Sequence, residues 1–362
     1  MDNSLLINLS FLIKNPTGLA TYASNLYPRL QSLNPTLLTS QPIADFDLIK
    51  TPANITADHG TKGHLRRLLW TQFKLPGIYN RHHANLLFAP IPEAPLFSKC
   101  RYVTMAHDLI PLRFGRRFSR LKLYFQFYVP RVLWQAEHIL CNSESTANEI
   151  MTYFDLPAFK ITPTPLAYDA QNFRSLNIPT KNYFLYIGRH DAHKNVHGLI
   201  AAFAEFAKQS DHWEYELHIA GPQDDRYTNN LRMQVLELGA GLGQRIKFLD
   251  YVPYEDLPKL INQAIALVFP SFWEGFGLPA LEAMACGTPV IASNVSALPE
   301  VTGDAAILID PHKPMSIAAA MTRLVHEHYL RSELSRAGLE RAKLFSWDKT
   351  ARQTIEVLAR YL

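Results

Sequence analysis

The sequence has little that could form a disulfide, a metal centre or a membrane span. Its 362 residues include three cysteines, Cys100, Cys141 and Cys286, whose spacing matches neither a redox pair nor a set of metal ligands. Each lies in an apolar or helix-end context, which favours a buried structural thiol. No apolar run is long enough for a transmembrane helix, and residues 1–13 lack the basic start of a signal peptide. We therefore expect a cytoplasmic protein.

Long stretches of the first half also lack acidic residues. Residues 1–180 carry 18 basic and 11 acidic side chains, whereas residues 181–362 carry 18 and 21. The segments 61–92 and 113–131 contain basic and aromatic residues but no Asp or Glu. No nucleic-acid-binding module accompanies them, so we do not expect nucleic acid as a partner. Peripheral attachment to an anionic membrane surface fits better, and a solvated helix face with core aromatics is the alternative. The leading candidates for lipid contact are Arg113, Arg116, Arg117, Arg120 and Lys122.

Length and composition indicate two globular domains of the α/β class. The chain is 48% hydrophobic and 19% charged, and it is long enough for two cores. Short apolar runs alternate with helical segments, as expected of parallel sheets. The predicted strands are residues 5–11, 86–88, 102–105, 138–141, 183–187, 216–220, 246–248, 264–269, 290–293 and 306–309. Because residues 163–182 are proline-rich and irregular, we predict an N-terminal domain over 1–168, a C-terminal domain over 180–346 and a final helix at about 347–362.

The segment FPSFWEGFGLPALEAMACGTPVIAS, residues 269–293, places two carboxylates around a glycine-rich turn. Its pattern predicts a strand, a turn and a short helix with Pro279 in the first helical turn. Gly275 and Gly277 would let the backbone approach a ligand, and a helix start suits a phosphate. Glu274 and Glu282 would then point past the phosphates toward neutral hydroxyl groups. A ligand with a diphosphate between two polyols is a nucleotide sugar. Alternatively, the two Glu residues have only structural roles, one as a charge at the helix start and the other on a solvated helix face.

The string EGFGLPALEAMACGTPV, residues 274–290, resembles the E-x7-E signature of retaining glycosyltransferases of family 4. This resemblance implies the GT-B fold, in which two doubly wound Rossmann-like domains face each other across a cleft. It also implies that the last helix returns to pack on the N-terminal, acceptor-binding domain. The expected reaction is transfer of a hexose from a nucleotide diphosphate sugar to a hydroxyl group, with retention at the anomeric carbon.

The resemblance assigns roles to charged residues that the local sequence leaves ambiguous. Arg189 and Lys194 follow a predicted strand in GRHDAHK and would by themselves be read as solvated loop cations. Members of the family carry an Arg/Lys pair at this position and use it on the donor diphosphate and the departing phosphate. His107 ends a predicted strand in VTMAHD, where a lone His is more often structural. The family places a His here, facing the donor sugar, and Asp108 beside it would orient the loop or the imidazole.

The remaining substrate contacts follow from the same resemblance. Glu274 is expected to hold hydroxyls of the transferred sugar, and Glu282 those of the ribose. Gly18 is expected to line the loop after the first strand, where Thr17 replaces the first of the family's two adjacent glycines. The other predicted contacts are Asp250, Tyr251 and Val252 around the nucleobase, and the backbone of Gly275, Phe276, Gly277 and Leu278 at the phosphates.

We expect no metal and no cofactor. The Asp-x-Asp at residues 45 and 47 is similar to the metal motif of the other major transferase fold, but it lacks the preceding strand. In the resembled family, arginine, lysine and helix amides take the place of the metal.

The motifs do not identify the donor or the acceptor. Commonness within the resembled family favours UDP-glucose, with GDP-mannose as the alternative, and a lipid-linked saccharide acceptor in envelope or extracellular polysaccharide assembly. A retaining glycosidase would need its two catalytic carboxylates about 5 Å apart. Glu274 is expected at the transferred sugar and Glu282 at the ribose, which is too far apart, so we exclude this class of enzyme. A sugar-nucleotide epimerase on the same scaffold and a non-catalytic sugar-nucleotide-binding protein stay open.

Overall fold

The computed structural model describes residues 4–13, 18–115, 119–209 and 212–362. The chain forms two compact units, Met1–Leu166 with Trp347–Leu362, and Ala167–Ser346. It therefore passes between the units twice, after residue 166 and after residue 346. Three positions singled out in the sequence, Thr17, Arg116 and Arg117, lie outside the described residues.

The first unit is built on a parallel seven-stranded sheet. Its strands are β1 (Leu5–Asn8), β2 (Thr36–Thr39), β3 (Asp47–Lys50), β4 (Leu86–Ala89), β5 (Tyr102–Ala106), β6 (His138–Cys141) and β7 (Ile161–Pro163). Their order in the sheet is β3-β2-β1-β4-β5-β6-β7, and every neighbouring pair runs parallel. The four central strands are buried along their whole length. Such continuous apolar strands are typical of parallel sheets covered by helices on both faces.

Helices connect these strands. They are α1 (Gly18–Leu26), α2 (Gly60–Phe73), α3 (Leu75–Arg81), α4 (Ile110–Phe114), α5 (Arg120–Leu123), α6 (Val129–Gln135) and α7 (Glu144–Phe154). A π-helical turn, Tyr124–Tyr128, joins α5 to α6. The helix α7 is capped by Ser143, whose hydroxyl accepts the N–H of Thr146 at 3.0 Å.

The second unit repeats the same principle with six parallel strands. They are β8 (Tyr183–Ile187), β9 (Glu216–Ala220), β10 (Ile246–Asp250), β11 (Ala266–Phe269), β12 (Val290–Ser293) and β13 (Ala306–Ile309). Their order is β10-β9-β8-β11-β12-β13. If the strands are counted from the start of the unit, this is the 3-2-1-4-5-6 order of dinucleotide-binding folds. The chain direction along the sheet reverses between β8 and β11, which is where ligands bind in such sheets.

The helices of the second unit are α8 (Val196–Phe206), α9 (Thr228–Glu237), α10 (Ala240–Gly243), α11 (Leu257–Asn262), α12 (Leu278–Ala285), α13 (Leu298–Thr302), α14 (Pro314–His326) and α15 (His328–Ala342). A glycine lets two of them approach closely. A Cβ added at Gly338 of α15 would lie 3.3 Å from the side chain of Met284 in α12. Helix α12, which lies within the sequence motif at residues 274–290, thus packs closely against α15.

The last helix, α16 (Trp347–Ala359), belongs to the first unit. The ring of Trp347 packs against Tyr22 of α1 with centroids 6.3 Å apart. The hydroxyl of Thr350 donates to the carbonyl of Pro165 at 2.6 Å. Beyond the helix, the hydroxyl of Tyr361 lies 3.1 Å from Nδ1 of His138 in β6. These contacts fix both ends of the C-terminal segment to the first sheet and its helices.

The α/β prediction is confirmed, and five predicted strands, at 138–141, 183–187, 216–220, 290–293 and 306–309, match the observed ones residue for residue. The prediction was wrong in omitting β2, β3 and β7. The first two are four residues long, and β3 is largely exposed. The edge strand β7 contains Pro163, which lacks the N–H that a central strand needs. All three cysteines are buried and free. Within the described ranges, no helix is both long and apolar enough to cross a bilayer.

Candidate active site

The loops that follow β8 and β11 meet at the switch point of the second sheet. These two strands are neighbours, with Ala266 opposite Phe184 and Leu267 opposite Leu185. The N–H of Phe272, after β11, donates to the carbonyl of His193, after β8, at 2.7 Å. Because both loops leave the same edge of the sheet, side chains 80 residues apart in sequence come together there.

Lys194 and Glu274 form a two-pronged ion pair between these loops. The Nζ atom of Lys194 lies 2.7 Å from Oε1 and 2.8 Å from Oε2 of Glu274. Both side chains are mostly buried, 18% exposed for Lys194 and 8% for Glu274. The backbone N–H of Glu274 donates to the hydroxyl of Ser296 at 3.0 Å, and the ammonium lies 5.5 Å from the ring centre of Phe269. The pair is therefore held rigidly at the end of the central strands.

Arg189 lies in an exposed ionic network on the same loop edge. Its Nε atom is 3.0 Å from Asp191, and Nη2 is 3.6 Å from Asp224. Asp224 also accepts hydrogen bonds from Arg226, which hold the pKa of Asp224 well below its usual range. At 60% exposure, the Arg189 side chain is free to move toward an anion that outcompetes these carboxylates.

The glycine-rich turn leads into α12 with a backbone that only glycine adopts readily. Gly277 has φ of +104°, and an added Cβ would lie 2.6 Å from the side chain of Leu298. Phe276 is buried, and its ring packs edge-on against Phe345 at 5.8 Å. The helix begins at Leu278 without a side-chain cap. Its start is therefore available to a phosphate, as the sequence motif predicts.

Glu282 lies one turn into α12, on its partly buried side. Burial, together with the neighbouring Asp169 carboxylate, raises the pKa of Glu282 to about 7. No donor from the described part of the chain forms a hydrogen bond to its carboxylate. Glu282 is thus a carboxyl group with spare hydrogen-bonding capacity.

The predicted nucleobase segment begins at the last residue of β10. Asp250 has φ of +55°, and its carboxylate accepts a hydrogen bond from Gln223 at 2.7 Å and lies 3.4 Å from Arg232. Tyr251 is exposed and Val252 is half-buried. The turn therefore presents backbone and an aromatic ring at the same edge of the sheet.

In the first unit, His107 follows β5 and is buried. Its Nε2 atom lies 2.9 Å from the carbonyl oxygen of Pro90, so Nε2 carries the hydrogen and donates it. Burial lowers the pKa of His107 to about 4, outweighing that hydrogen bond. The ring also packs edge-on against Tyr22 at 4.8 Å. At neutral pH this imidazole is therefore neutral and fixed in one tautomer.

Two further predicted residues of the first unit lie in helix-start positions. Asp108 accepts the N–H of Ile110 at 3.0 Å and so orders the loop that enters α4. Gly18 is the first residue of α1 and is exposed. Among the described residues, an added Cβ there would meet nothing within 4 Å.

The structure brings Lys194 together with Glu274 and places Arg189 and the α12 start on the same sheet edge. Sequence reasoning missed the groups that hold them: Asp191 and Asp224 beside Arg189, Ser296 beside Glu274, and Asp169 beside Glu282. A usable signal existed only for Asp191, which lies within the GRHDAHK motif. Among the described residues, no three His, Cys, Asp or Glu side chains cluster in a way that could hold a metal ion.

Comparisons with known proteins show the family to which the chain belongs. The family "Glycosyl transferases group 1" matches residues 169–341, and "Glycosyltransferase Family 4" matches residues 16–172. The O-antigen chain mannosyltransferase B of Escherichia coli is 35% identical over 267 residues, which cover 70% of this chain and 69% of that protein. The O-antigen chain mannosyltransferase RfbU of Salmonella typhimurium is 27% identical over 88% of this chain and 90% of its own length.

Solved structures show the same fold. HepE from Anabaena, determined in complex with UDP-glucose, superposes with a TM-score of 0.76 at 17% identity, covering 99% of both chains. The two parallel sheets and the matched family models together support the GT-B fold. This protein accordingly belongs to the group 1, family 4 glycosyltransferases.

Proposed function

We propose that this glycosyltransferase moves a mannosyl group from GDP-mannose to a hydroxyl of a growing polysaccharide, with retention and without a metal. The observation that carries the transfer reaction is the Lys194–Glu274 pair at the switch point of the second sheet. The choice of mannose is supported by two relatives, both O-antigen chain mannosyltransferases.

The ion pair leaves capacity for a substrate on both partners. An ammonium group has three N–H donors, and Glu274 occupies two of those of Lys194. The third donor can reach a phosphate oxygen. Each Glu274 oxygen keeps a lone pair for a sugar hydroxyl. The pair can therefore bind the phosphate and the sugar of a donor without separating.

The proposed chemistry needs no protein nucleophile. The acceptor oxygen forms a bond to the anomeric carbon while the bond from that carbon to the β-phosphate oxygen breaks on the same face. The acceptor proton passes to the departing phosphate. Arg189, Lys194 and the α12 start stabilise the charge that grows on this phosphate, as a metal does in other transferases.

UDP-glucose is the competing donor. It is the sugar nucleotide in the HepE complex, but at 17% identity that structure informs only on the fold. The mannosyltransferase relatives are closer in sequence, so GDP-mannose is the first choice.

A panel of GDP-mannose, UDP-glucose, UDP-galactose and GDP-fucose tests the donor. Each is added to wild-type protein, and the shift in Tm is measured, since a ligand that binds only the folded state stabilises it. Transfer is then followed on mannose-terminated oligosaccharides in EDTA, and the anomeric configuration is read by NMR. A larger shift and faster transfer with UDP-glucose would overturn the mannose assignment. An epimer formed from donor alone would indicate an epimerase, and binding without transfer a non-catalytic protein.

We further propose that the acceptor is lipid-linked and that the first unit attaches to the anionic membrane that carries it. On α2, Leu65, Leu69 and Phe73 are spaced four residues apart and are 58%, 50% and 74% exposed. Lys62 and Arg66 are exposed on the same helix. A stripe of exposed apolar side chains beside basic ones suits a lipid interface.

The π-helical segment contacts α2. The side chain of Gln72 in α2 donates to the hydroxyl of Tyr128 at 2.9 Å. Phe127 and Arg120 are exposed nearby in the chain. Arg113, by contrast, pairs with Glu149 at 3.3 Å, and Lys122 reaches the carbonyl of Gly115 at 3.4 Å. We therefore rank the α2 stripe and Arg120 above Arg113 and Lys122 as lipid contacts.

A further inference from the structure

The loop that carries Lys194 is tied to two neighbouring loops by the next residue, Asn195. Its side-chain Nδ2 atom donates to the carbonyl of Pro270, directly after β11, at 3.1 Å. The same nitrogen donates to the carbonyl of Pro311, two residues after β13, at 2.7 Å. A primary amide has two N–H donors, so both are used. Asn195 therefore joins the loops after β8, β11 and β13 at one point.

This amide is buried and closely packed. Asn195 is 1% exposed. A Cβ added at Gly198, in the first turn of α8, would lie 2.3 Å from Oδ1 of Asn195. The helix therefore has room for the amide only because residue 198 lacks a side chain. Since a buried donor that loses its acceptor is costly, the two hydrogen bonds hold the three loops together.

Asn195 also sets the direction of the backbone after Lys194. Its φ is +57°, in the left-handed region that Asn adopts more readily than most residues other than glycine. The residue lies between the single 3₁₀ turn Ala192–Lys194 and the start of α8 at Val196. The chain bends sharply here, and this bend fixes the backbone from which the Lys194 side chain extends.

The loop that carries Glu274 is held against the same segment. The N–H of Phe272 in this loop donates to the carbonyl of His193 at 2.7 Å. One backbone hydrogen bond and the Asn195 amide thus join the two loops on either side of Lys194 in the sequence. The ammonium and the carboxylate that it contacts are placed by these bonds as well as by their own attraction.

We propose that Asn195 is a positioning residue for Lys194. By fixing the loop after β8 against the loops after β11 and β13, it places the ammonium where its third N–H meets the β-phosphate of the donor. Asn195 is buried and acts through the backbone of Lys194, not by contact with the nucleotide. This inference rests on the proposed function, because it assumes that Lys194 binds a phosphate. A purely structural amide would change stability but not the recognition of that phosphate.

The test compares a nucleoside diphosphate with the monophosphate. Binding of GDP and of GMP is measured by calorimetry at pH 7.5, and the ratio of the two affinities isolates the β-phosphate, because both ligands share the base, the ribose and the α-phosphate. UDP and UMP serve in the same way if the protein prefers uridine. The variant is Asn195→Gly, since glycine keeps the left-handed backbone and removes only the amide.

Asn195→Gly should lower the affinity ratio by about three- to tenfold, because a displaced ammonium loses part of a charged hydrogen bond to the β-phosphate. Gly198→Ala should lower the ratio as well, since the added methyl group displaces the amide while alanine suits the helix. The matched control is Asn262→Ala in α11. It removes an amide that donates to the carbonyls of Arg174 and Pro258, at 3.0 and 2.8 Å, and should leave the ratio unchanged.

A double-mutant cycle shows whether the effect passes through Lys194. The background is Lys194→Met, Glu274→Gln, which removes the proposed phosphate ligand without leaving an unpaired buried charge. In this background, Asn195→Gly should cause no further fall in the ratio. If Asn195→Gly does not fold, Gly198→Ala takes its place in the cycle.

An unchanged ratio in Asn195→Gly or in Gly198→Ala would overturn the proposal while leaving nucleotide binding intact. So would a fall of equal size in Asn262→Ala, or one that persists undiminished in the background without Lys194. A wild-type ratio of one would show that the protein does not bind the β-phosphate. Absence of GDP and UDP binding in the wild type would instead overturn the proposed function, and this inference with it.

Discussion

The ammonium of Lys194 bridges both carboxylate oxygens of Glu274, at 2.7 and 2.8 Å, across two loops that lie 80 residues apart in the sequence. Because both groups are mostly buried, each compensates the charge of the other. If catalysis uses the charge of one of these side chains, the folded protein also needs the opposite charge of the other to compensate it. Stability and activity are coupled at this position.

Lys194→Ala should reduce both stability and transfer. It leaves the Glu274 carboxylate buried without its partner, and breaking a buried pair in this way costs about 3–5 kcal/mol. The measurement is urea unfolding at pH 7.5 together with the initial rate of transfer.

The double variant Lys194→Met, Glu274→Gln separates the two effects. It removes both charges and should recover most of the lost stability, while transfer stays abolished. Wild-type stability in Lys194→Ala would contradict the coupling, and wild-type transfer in the double variant would contradict the catalytic assignment.

Arg189→Ala should give a different result, because its side chain is exposed. Its contacts with Asp191 and Asp224 are surface ion pairs, whose loss changes stability by less than about 1 kcal/mol. If Arg189 stabilises the departing phosphate, kcat should fall by about 10²-fold or more. The matched control is Arg226→Ala, which removes a guanidinium from the same carboxylate, Asp224, but not from the proposed phosphate site. Equal losses of kcat in the two variants would refute a direct role for Arg189.

The sequence pattern predicted the α/β architecture, but it did not predict which side chains contact each other. Strands such as β8 and β12 are continuous apolar runs with clear ends, and their bounds follow from composition alone. The short strands β2, β3 and β7, of which β3 and β7 are the sheet edges, are stabilised by pairing with a neighbour, which leaves little mark on their own residues.

The same limit applies to the candidate site. The resemblance assigned Lys194 to a phosphate and Glu274 to a sugar, yet neither assignment implies that the two side chains touch. Their contact depends on β8 and β11 being neighbours, which is a property of strand order. Asp169 was missed because the connecting segment carries no periodic pattern, and only the folded chain brings it beside Glu282.

Glu282→Gln should stabilise the protein at alkaline pH relative to the wild type. In the folded protein the pKa of Glu282 is about 7, above its ordinary value near 4.5, so the folded state binds more protons between these two pH values. The contribution of this group to the free energy of unfolding of the wild type therefore falls as pH rises from about 4.5 to about 7 and is constant above pH 7. The total fall is at most about 3 kcal/mol.

Urea unfolding of both proteins at pH 5 and pH 8 measures this effect. The buried His107 and His138 titrate in an overlapping range with the opposite sign, because burial lowers the pKa of each to about 4. Their contribution is common to both proteins and cancels in the difference. A stability difference between variant and wild type that is the same at both pH values would show that Glu282 does not titrate in this range.

Replacement of Leu65, Leu69 and Phe73 by Ser should weaken binding to anionic vesicles without loss of folding, because all three side chains are already exposed to solvent. Burial of the apolar stripe in the bilayer contributes binding free energy that salt does not screen. Each basic residue near the membrane surface contributes about 1 kcal/mol of binding free energy, which salt reduces. Changing the five basic candidates, including Arg120, to Gln should therefore lower binding mainly at low salt. Co-sedimentation with vesicles of phosphatidylglycerol and phosphatidylcholine, at 50 and 500 mM salt, measures both effects.

The two sets of variants also distinguish a lipid surface from a solvated one. The control replaces exposed lysines of the second unit by Gln, namely Lys181, Lys247, Lys259 and Lys313. If the first unit carries the membrane contact, this control should bind vesicles as the wild type does, although its net charge falls by a similar amount. Equal losses of vesicle binding in the control and in the five-residue variant would show that the binding depends only on net charge. Undiminished binding in the Leu65, Leu69 and Phe73 variant would show that the stripe on α2 lies away from the bilayer, and the exposed apolar face would then need another partner.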